Sequence, residues 1–144
     1  MGLPYTTVEV FHDVECGRQD IDEVLKGIEI VNGVALGIQV VRTDRQMRIS
    51  DPAAKEVQPA AIRWPNLQTD ITFVITERPI LRPTAEKGMD FAKETPREVS
   101  GIEVSPYASG ISLRKPGVRL AIISTYRGSD TPGITAHETA HLFN

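Results

Sequence analysis

Residues 7–41, TVEVFHDVECGRQDIDEVLKGIEIVNGVALGIQVV, contain the pattern that predicts the fold class of this chain. Residues 7–11 are rich in valine and end in phenylalanine, which is typical of a short strand. Apolar residues then recur at every third or fourth position, as they do on one face of a helix. Residues 34–41 are rich in β-branched side chains and favour a second strand. A strand, a helix and a strand within about 35 residues indicate a crossover unit whose two strands are parallel.

Sequence signals predict where this helix begins and ends. Asp20, followed three residues later by Glu23, matches a capping box. Asn32 and Gly33 both tolerate the left-handed backbone conformation that closes many helices. We therefore expect the helix to begin near Asp20 and to end at Asn32 and Gly33.

Three later segments also favour strands, and they are Ile71–Thr76, residues 109–113 and residues 118–125. The first and the last consist almost entirely of β-branched or other apolar residues. Such runs are typical of strands that are buried on both faces of a sheet. Together with the crossover unit, they predict an α/β fold in which a sheet packs against helices.

A final helix is predicted at the end of the chain. Thr131 fits the cap position and Pro132 the first helical position, and the helical pattern runs to Asn144. Before this helix, residues 77–105 mix prolines with charges of both signs. We interpret them as a long excursion with one helical turn near residues 85–92.

Composition and charge limit the classes of function. The chain has 144 residues, of which 40% are apolar and 24% charged, so we treat residues 1–144 as a single domain. Its net charge of −3 argues against a nucleic-acid partner. Its single cysteine excludes a disulfide framework within the chain and a zinc site built from several thiolates. Because we find no signal-peptide pattern and no apolar run long enough to span a bilayer, we expect a cytoplasmic protein without a membrane partner.

The predicted final helix contains HETAH at residues 137–141, a complete H-E-x-x-H motif. Four residues advance a helix by about 400°, so the imidazoles of His137 and His141 stand on nearly the same face and can bind one zinc ion. Glu138 lies about 100° further round, within reach of a water molecule on that ion. We therefore predict His137 and His141 as metal ligands. Glu138 is the predicted general base, which activates water for attack on a peptide carbonyl and then protonates the leaving amine.

These residues resemble the metzincin zinc peptidases, and among them most closely the archaemetzincins. The close resemblance covers residues 118–144, and the order of the elements extends it loosely over the chain. It implies an α/β (α+β) fold with a twisted mixed sheet of about five strands, an antiparallel edge strand, a backing helix and the active-site helix. In the family, the edge strand pairs with the backbone of an extended substrate. The resemblance therefore implies that Gly110, Ile111 and Ser112 bind a peptide or protein substrate.

The resemblance also implies residues that this sequence lacks. In the family, a glycine follows the second histidine by three residues, and a third zinc-binding histidine follows after three more. Asn144 stands in the position of the glycine, and the sequence ends there. We therefore expect the third protein ligand of the single catalytic Zn²⁺, and the C-terminal subdomain, to be missing from a truncated chain that binds zinc weakly. The remaining histidine, His12, follows the first strand, and nothing in its spacing places it at the metal.

Two alternatives stay open at this point. One is a catalytically silent zincin-like domain whose edge strand still binds peptides. The other is a peptidase of a different H-E-x-x-H lineage, whose third ligand is a glutamate on a later helix. The simplest structural interpretation of the motif is a helix whose histidines only face solvent.

Overall fold

The computed structural model describes residues 6–33, 37–49, 51, 53–59, 62–64, 68–82, 107–115, 118–126 and 130–143. The strands are β1 (Thr6–His12), β2 (Ile38–Gln46), β3 (Ile71–Thr76), β4 (Ile80–Leu81), β5 (Tyr107–Ala108), β6 (Gly110–Lys115) and β7 (Val118–Ser124). The helices are α1 (Arg18–Asn32) and α2 (Thr131–Phe143).

Five of these strands form one mixed sheet in the order β2-β1-β3-β7-β6. The strands β2, β1, β3 and β7 run parallel to one another. The edge strand β6 is antiparallel to β7. β4 and β5 form a separate antiparallel pair. The predicted α/β fold class and the predicted mixed sheet are thereby confirmed. The parallel pairing of β1 with β2 also confirms the crossover unit around α1.

Both faces of the sheet are covered. Alternate residues of β1, β3 and β7 form one apolar cluster with α1 and with Leu142 of α2. The residues between them form a second cluster under the segments at 47–64 and Ile80, which includes Phe11, Val74 and Ile122. Because a strand points successive side chains to opposite faces, β3 at the centre is buried at all its positions. This explains the unbroken apolar run that predicted Ile71–Thr76.

The ends of α1 differ from the prediction in mechanism. The cap residue is Gly17, and its backbone N–H donates to the carboxylate of Asp20, in the first turn of the helix, at 3.0 Å. The predicted capping box of Asp20 with Glu23 is therefore wrong. The helix ends at Asn32 as predicted. Gly33, however, has φ −66° and ψ −14°, which is right-handed. Instead of closing a left-handed turn, Asn32 exchanges two side-chain hydrogen bonds with the backbone of Ile38, at 3.1 and 3.2 Å, and so fixes the start of β2.

The second strand begins later in the chain than expected. The strand predicted at residues 34–41 is β2, Ile38–Gln46, so the predicted end at residue 41 is wrong. Residues 34–36 of the prediction lie outside the described residues. The charged second half of β2 lacks an apolar signal because this strand forms an exposed edge of the sheet. Opposite β1, the pairing of β2 shifts register twice, between Val8 and Glu9 and between Glu9 and Phe11.

The C-terminal elements are close to their predicted positions. β6 begins one residue later than predicted and runs to Lys115, and β7 ends at Ser124. Thr131 is not the cap of α2 but lies in its first turn. The residue before it, Asp130, caps the helix, because its Oδ1 accepts the N–H of Gly133 at 3.3 Å. The helical turn predicted near residues 85–92 lies outside the described residues, as does Asn144.

Within the described part of the chain, neither helix is both long enough and apolar enough to cross a membrane.

Candidate metal centre

The buried face of α2 fixes the orientation of the motif. Thr135 and Thr139 are fully buried, and each hydroxyl donates to the carbonyl four residues earlier, at 2.8 and 2.7 Å. Their small side chains allow α1 to approach closely at Gly27, where an added Cβ would come within 2.5 Å of the Pro132 carbonyl oxygen. With Leu142 also buried in the core, α2 is held against α1 and the sheet. His137 consequently lies on the exposed side of the helix.

The structure brings the two predicted metal ligands together. Nε2 of His137 and Nε2 of His141 are 3.0 Å apart, and the ring centroids are 4.5 Å apart with the planes nearly perpendicular at 84°. Two nitrogens that each bind a tetrahedral zinc at roughly 2.0–2.1 Å lie about 3.3 Å from each other. The observed distance between the two nitrogens is shorter than this by on the order of 0.3 Å. The donor type also fits, because imidazole nitrogen is a preferred ligand of zinc.

These two imidazoles form only part of a ligand set. Among the residues that the structure describes, no three histidine, cysteine, aspartate or glutamate side chains are grouped so that they could hold a metal ion. His12, at the end of β1, therefore does not join the pair on α2. A catalytic zinc site has three protein ligands, of which His137 and His141 could supply two.

Glu138 lies on the inner side of α2, between the helix and β6. Its side chain is completely buried, and its Oε2 accepts a hydrogen bond from the hydroxyl of Ser112. The Ser112 hydroxyl is also 3.5 Å from the main-chain oxygen of Glu138. Because a buried carboxylate is unfavourable without hydrogen-bond donors, this contact helps to explain how the carboxylate is accommodated.

Gly110 lies beneath the same side chain. A Cβ at this position would be 2.9 Å from Cγ of Glu138 and 2.7 Å from Cγ2 of Ile134, so any other residue here would push α2 away from β6. Gly110 and Ser112 share one face of β6 because strand residues alternate. The sequence analysis assigned both to substrate binding and missed their contact with Glu138, although the alternation indicated their shared face.

Ile111, the third predicted substrate residue, points to the other face of the sheet. Its side chain is buried in the cluster under residues 47–64. Only its main chain is thus placed to contact a peptide.

An open cleft of about 520 Å³ runs between β6 and α2. Its wall includes Gly110 at the start of β6 and the preceding Ser109, together with Ile134 and His137 from α2. Arg82 and Asp130 add charges of opposite sign to the same wall. The edge strand and one of the two imidazoles therefore border a shared space.

The H-E-x-x-H residues and two of the three predicted strand residues thus meet at one place in the fold, where α2 packs on β6. A pair of adjacent imidazoles, a buried carboxylate on the same helix and a cleft at a sheet edge define a candidate metal centre. No family model, curated protein or solved structure matches this chain.

Proposed function

We propose that this chain is a zinc-dependent metallopeptidase domain of the metzincin type, most similar to the archaemetzincins, which hydrolyses peptide bonds. The observation that carries the proposal is the 3.0 Å separation of Nε2 of His137 and Nε2 of His141, one helical turn apart on α2. The mixed sheet with β6 at its edge is the arrangement that the resemblance implies. Both observations support the proposal without depending on each other.

Each residue of the motif has a separate task in this reaction. His137 and His141 would hold the ion through Nε2. Zinc, when bound, supplies a Lewis acid that polarises the scissile carbonyl and acidifies a water molecule. Glu138 accepts the proton of the attacking water and passes it to the amine nitrogen as the C–N bond breaks. The resemblance implies a histidine six residues after His141, beyond Asn144, as the third ligand.

The substrate would bind along the edge strand. β6 is the last strand of the sheet, and an extended peptide can add to such an edge through main-chain hydrogen bonds. The cleft wall includes both Gly110 and His137, so a peptide lying there would pass His137. This geometry favours a peptide substrate with an extended backbone.

One observation favours a second candidate, the catalytically silent peptide-binding domain. The carboxylate of Glu138 contacts Ser112 inside the protein, so it has a packing function that does not require a metal. In this alternative the cleft and the edge strand bind peptides and no bond is cleaved.

Zinc titration of the metal-free protein tests the proposal. Calorimetry should show one Zn²⁺ per chain, with an affinity that is lost in His137→Ala and in His141→Ala and kept in Glu138→Gln. His12→Ala is the matched control, because it removes the third histidine and should bind zinc as the unchanged chain does. Zinc binding that survives both single changes on α2 would refute the proposed centre.

Cleavage of a mixed peptide library, followed by mass spectrometry, separates the two candidates. A peptidase yields zinc-dependent fragments with the unchanged chain and none with Glu138→Gln. A silent domain retains peptides on the immobilised protein and yields no fragments from either chain.

A further inference from the structure

The position of Glu138 is determined by β6 as well as by its own helix. Ser112 is only 1% exposed, and its hydroxyl donates a hydrogen bond to Oε2 of Glu138. The main chain of Ser112 is fixed in turn by its pairing with Ala121 on the central side of the sheet. The hydroxyl is therefore held on a rigid support rather than on a loop, which is what accurate positioning of a reacting group requires.

Gly110 limits the carboxylate from below. The position of a Cβ on Gly110 is 3.1 Å from Oε1 of Glu138, so this oxygen lies directly over the glycine backbone. Gly110 also forms part of the cleft wall, with His137 opposite. Of the two carboxylate oxygens, Oε2 accepts the hydrogen bond of Ser112, and Oε1 is buried next to Gly110.

From this arrangement we propose that Ser112 is a positioning residue for the general base: its hydroxyl holds Oε2 of Glu138 and thereby fixes the orientation of the carboxylate that exchanges the proton. This inference rests on the proposed peptidase function. Gly110 also contributes to this positioning, because its lack of a side chain leaves the space that the Glu138 carboxylate occupies. In this role the Ser112 hydroxyl acts through Glu138.

Peptide hydrolysis by Ser112→Ala, compared with Ser112→Thr, tests the role. We expect kcat to fall roughly 10- to 100-fold in Ser112→Ala, the range found when a supporting hydrogen bond of a catalytic group is removed, with KM and zinc affinity unchanged. Ser112→Thr keeps the hydroxyl and should recover most of the lost kcat. Thr72→Val is the control, because it removes another buried hydroxyl, that of Thr72 on β3, which lies 3.3 Å from Oγ1 of Thr69. This variant should have the same kcat as the unchanged chain.

A second measurement needs neither zinc nor activity. In urea denaturation of the metal-free protein, Ser112→Ala should lower the unfolding midpoint, and this effect should disappear in a chain that already carries Glu138→Ala. Equal effects of Ser112→Ala in the two backgrounds would show that the two side chains are not coupled, and would overturn the inference.

The outcomes distinguish the inference from the function on which it rests. If the unchanged chain cleaves peptides and Ser112→Ala has the same kcat, the role of Ser112 is refuted and the peptidase function stands. If the unchanged chain binds zinc but cleaves nothing, the peptidase function is refuted, and coupled unfolding midpoints would then assign the contact to stability alone.

Discussion

A single exposed carboxylate, that of Asp70, joins the beginnings of two neighbouring strands. Its Oδ2 accepts the backbone N–H of Thr7 at 2.9 Å and the Thr7 hydroxyl at 3.0 Å, while its own N–H donates to that hydroxyl at 3.1 Å. The two hydrogen bonds from Thr7, backbone first, hold the pKa of Asp70 below its ordinary value of 3.8. A carboxyl group whose pKa is lowered by folding stabilises the folded state above its unfolded pKa and loses this effect as the pH falls through the folded pKa.

Asp70→Asn should therefore destabilise the protein at neutral pH and have no effect in strong acid. We expect a loss of at most about 1 kcal/mol at pH 7, because the group is exposed and water screens the interaction. The difference between the two chains should vanish well below pH 3.8, where the carboxyl group is protonated in both states. Urea denaturation at several pH values measures it, and a difference that grows in acid would contradict the assignment.

Sequence could predict some residues of the candidate site and not others. His137, Glu138 and His141 are found by spacing, because helical geometry alone sets their relative angles. The contacts of Ser112 and Gly110 with Glu138 depend on how α2 packs over β6, two elements whose relative position no local pattern contains. Residues that contact across elements therefore became visible only in the fold.

The contact between α1 and α2 depends on one residue without a side chain. A Cβ on Gly27 would overlap Cβ of Thr135 and come within 2.5 Å of the carbonyl oxygen of Pro132. Gly27→Ala should force the helices apart and lower the free energy of unfolding by about 1–3 kcal/mol, the usual effect of overpacking. Thermal denaturation followed by circular dichroism measures the loss.

Gly33→Ala is the matched control for Gly27→Ala on the same helix. Gly33 has right-handed dihedral angles, and a Cβ there would lie 3.4 Å from the nearest atom, the carbonyl oxygen of Glu29. This change should leave the protein as stable as before or stabilise it by about 0.4–1 kcal/mol, since alanine restricts the unfolded chain. Equal losses in both variants would show that loss of glycine, rather than the helix contact, is responsible.

Sequence predicted the individual elements unevenly, for physical reasons. β3 has its predicted bounds because burial on both faces leaves an unbroken apolar run. The second half of β2 was missed because charged residues occupy an exposed edge, where no apolar period marks a strand. At α1, the local pattern showed an acidic residue near the start but did not reveal that Asp20 caps the helix from its third position.

At the scale of the molecule, Arg78 ties three distant segments together. It donates to Asp13 Oδ2 at 2.8 Å, to Glu15 Oε1 at 3.3 Å and to the carbonyl oxygen of Asp51 at 2.8 Å. These contacts join the ends of β1 and β3 to the segment that begins the cover of the second sheet face. Burial raises the pKa of Asp13 and outweighs the opposing effect of the Arg78 cation.

Arg78→Met should destabilise the protein strongly, because it leaves the fully buried Asp13 carboxyl group without its cation. Breaking a buried pair from one side typically costs about 3–5 kcal/mol. A carboxyl group with a raised pKa favours the folded state at low pH and loses this effect as the pH rises through the folded pKa. The loss should consequently be larger at pH 7 than at pH 4 in guanidinium denaturation.

Arg42→Met is the control for Arg78→Met. Arg42 pairs with Asp44 at 2.7 Å on the exposed strand β2, where solvent screens both charges, so the denaturation midpoint should not change. A loss in Arg78→Met that is independent of pH would show that packing, rather than the buried charge of Asp13, is responsible.

The sequence predicted more of the sheet than of the residues that pack on its second face. Crossover rules and strand patterns predict the parallel crossover unit and the α/β class, because they follow from local chirality and burial, whereas the mixed sheet with an antiparallel edge strand was implied by the family resemblance. The second face is covered by residues outside the five-stranded sheet, among them Met47, Ile49 and Val57. The packing of these residues depends on tertiary contacts that carry no sequence period, so no element was predicted there.

The two register shifts of β2 have a consequence for how the protein behaves at high concentration. Fibril growth requires a straight edge on which strands of other molecules can stack in register. Although Val41 is 48% exposed, the pairing of β2 with β1 shifts register twice, and β2 carries the charged residues Arg42, Asp44 and Arg45. Register shifts and charges of this kind protect natural sheet borders from polymerising, so this margin of the molecule is a poor seed for amyloid.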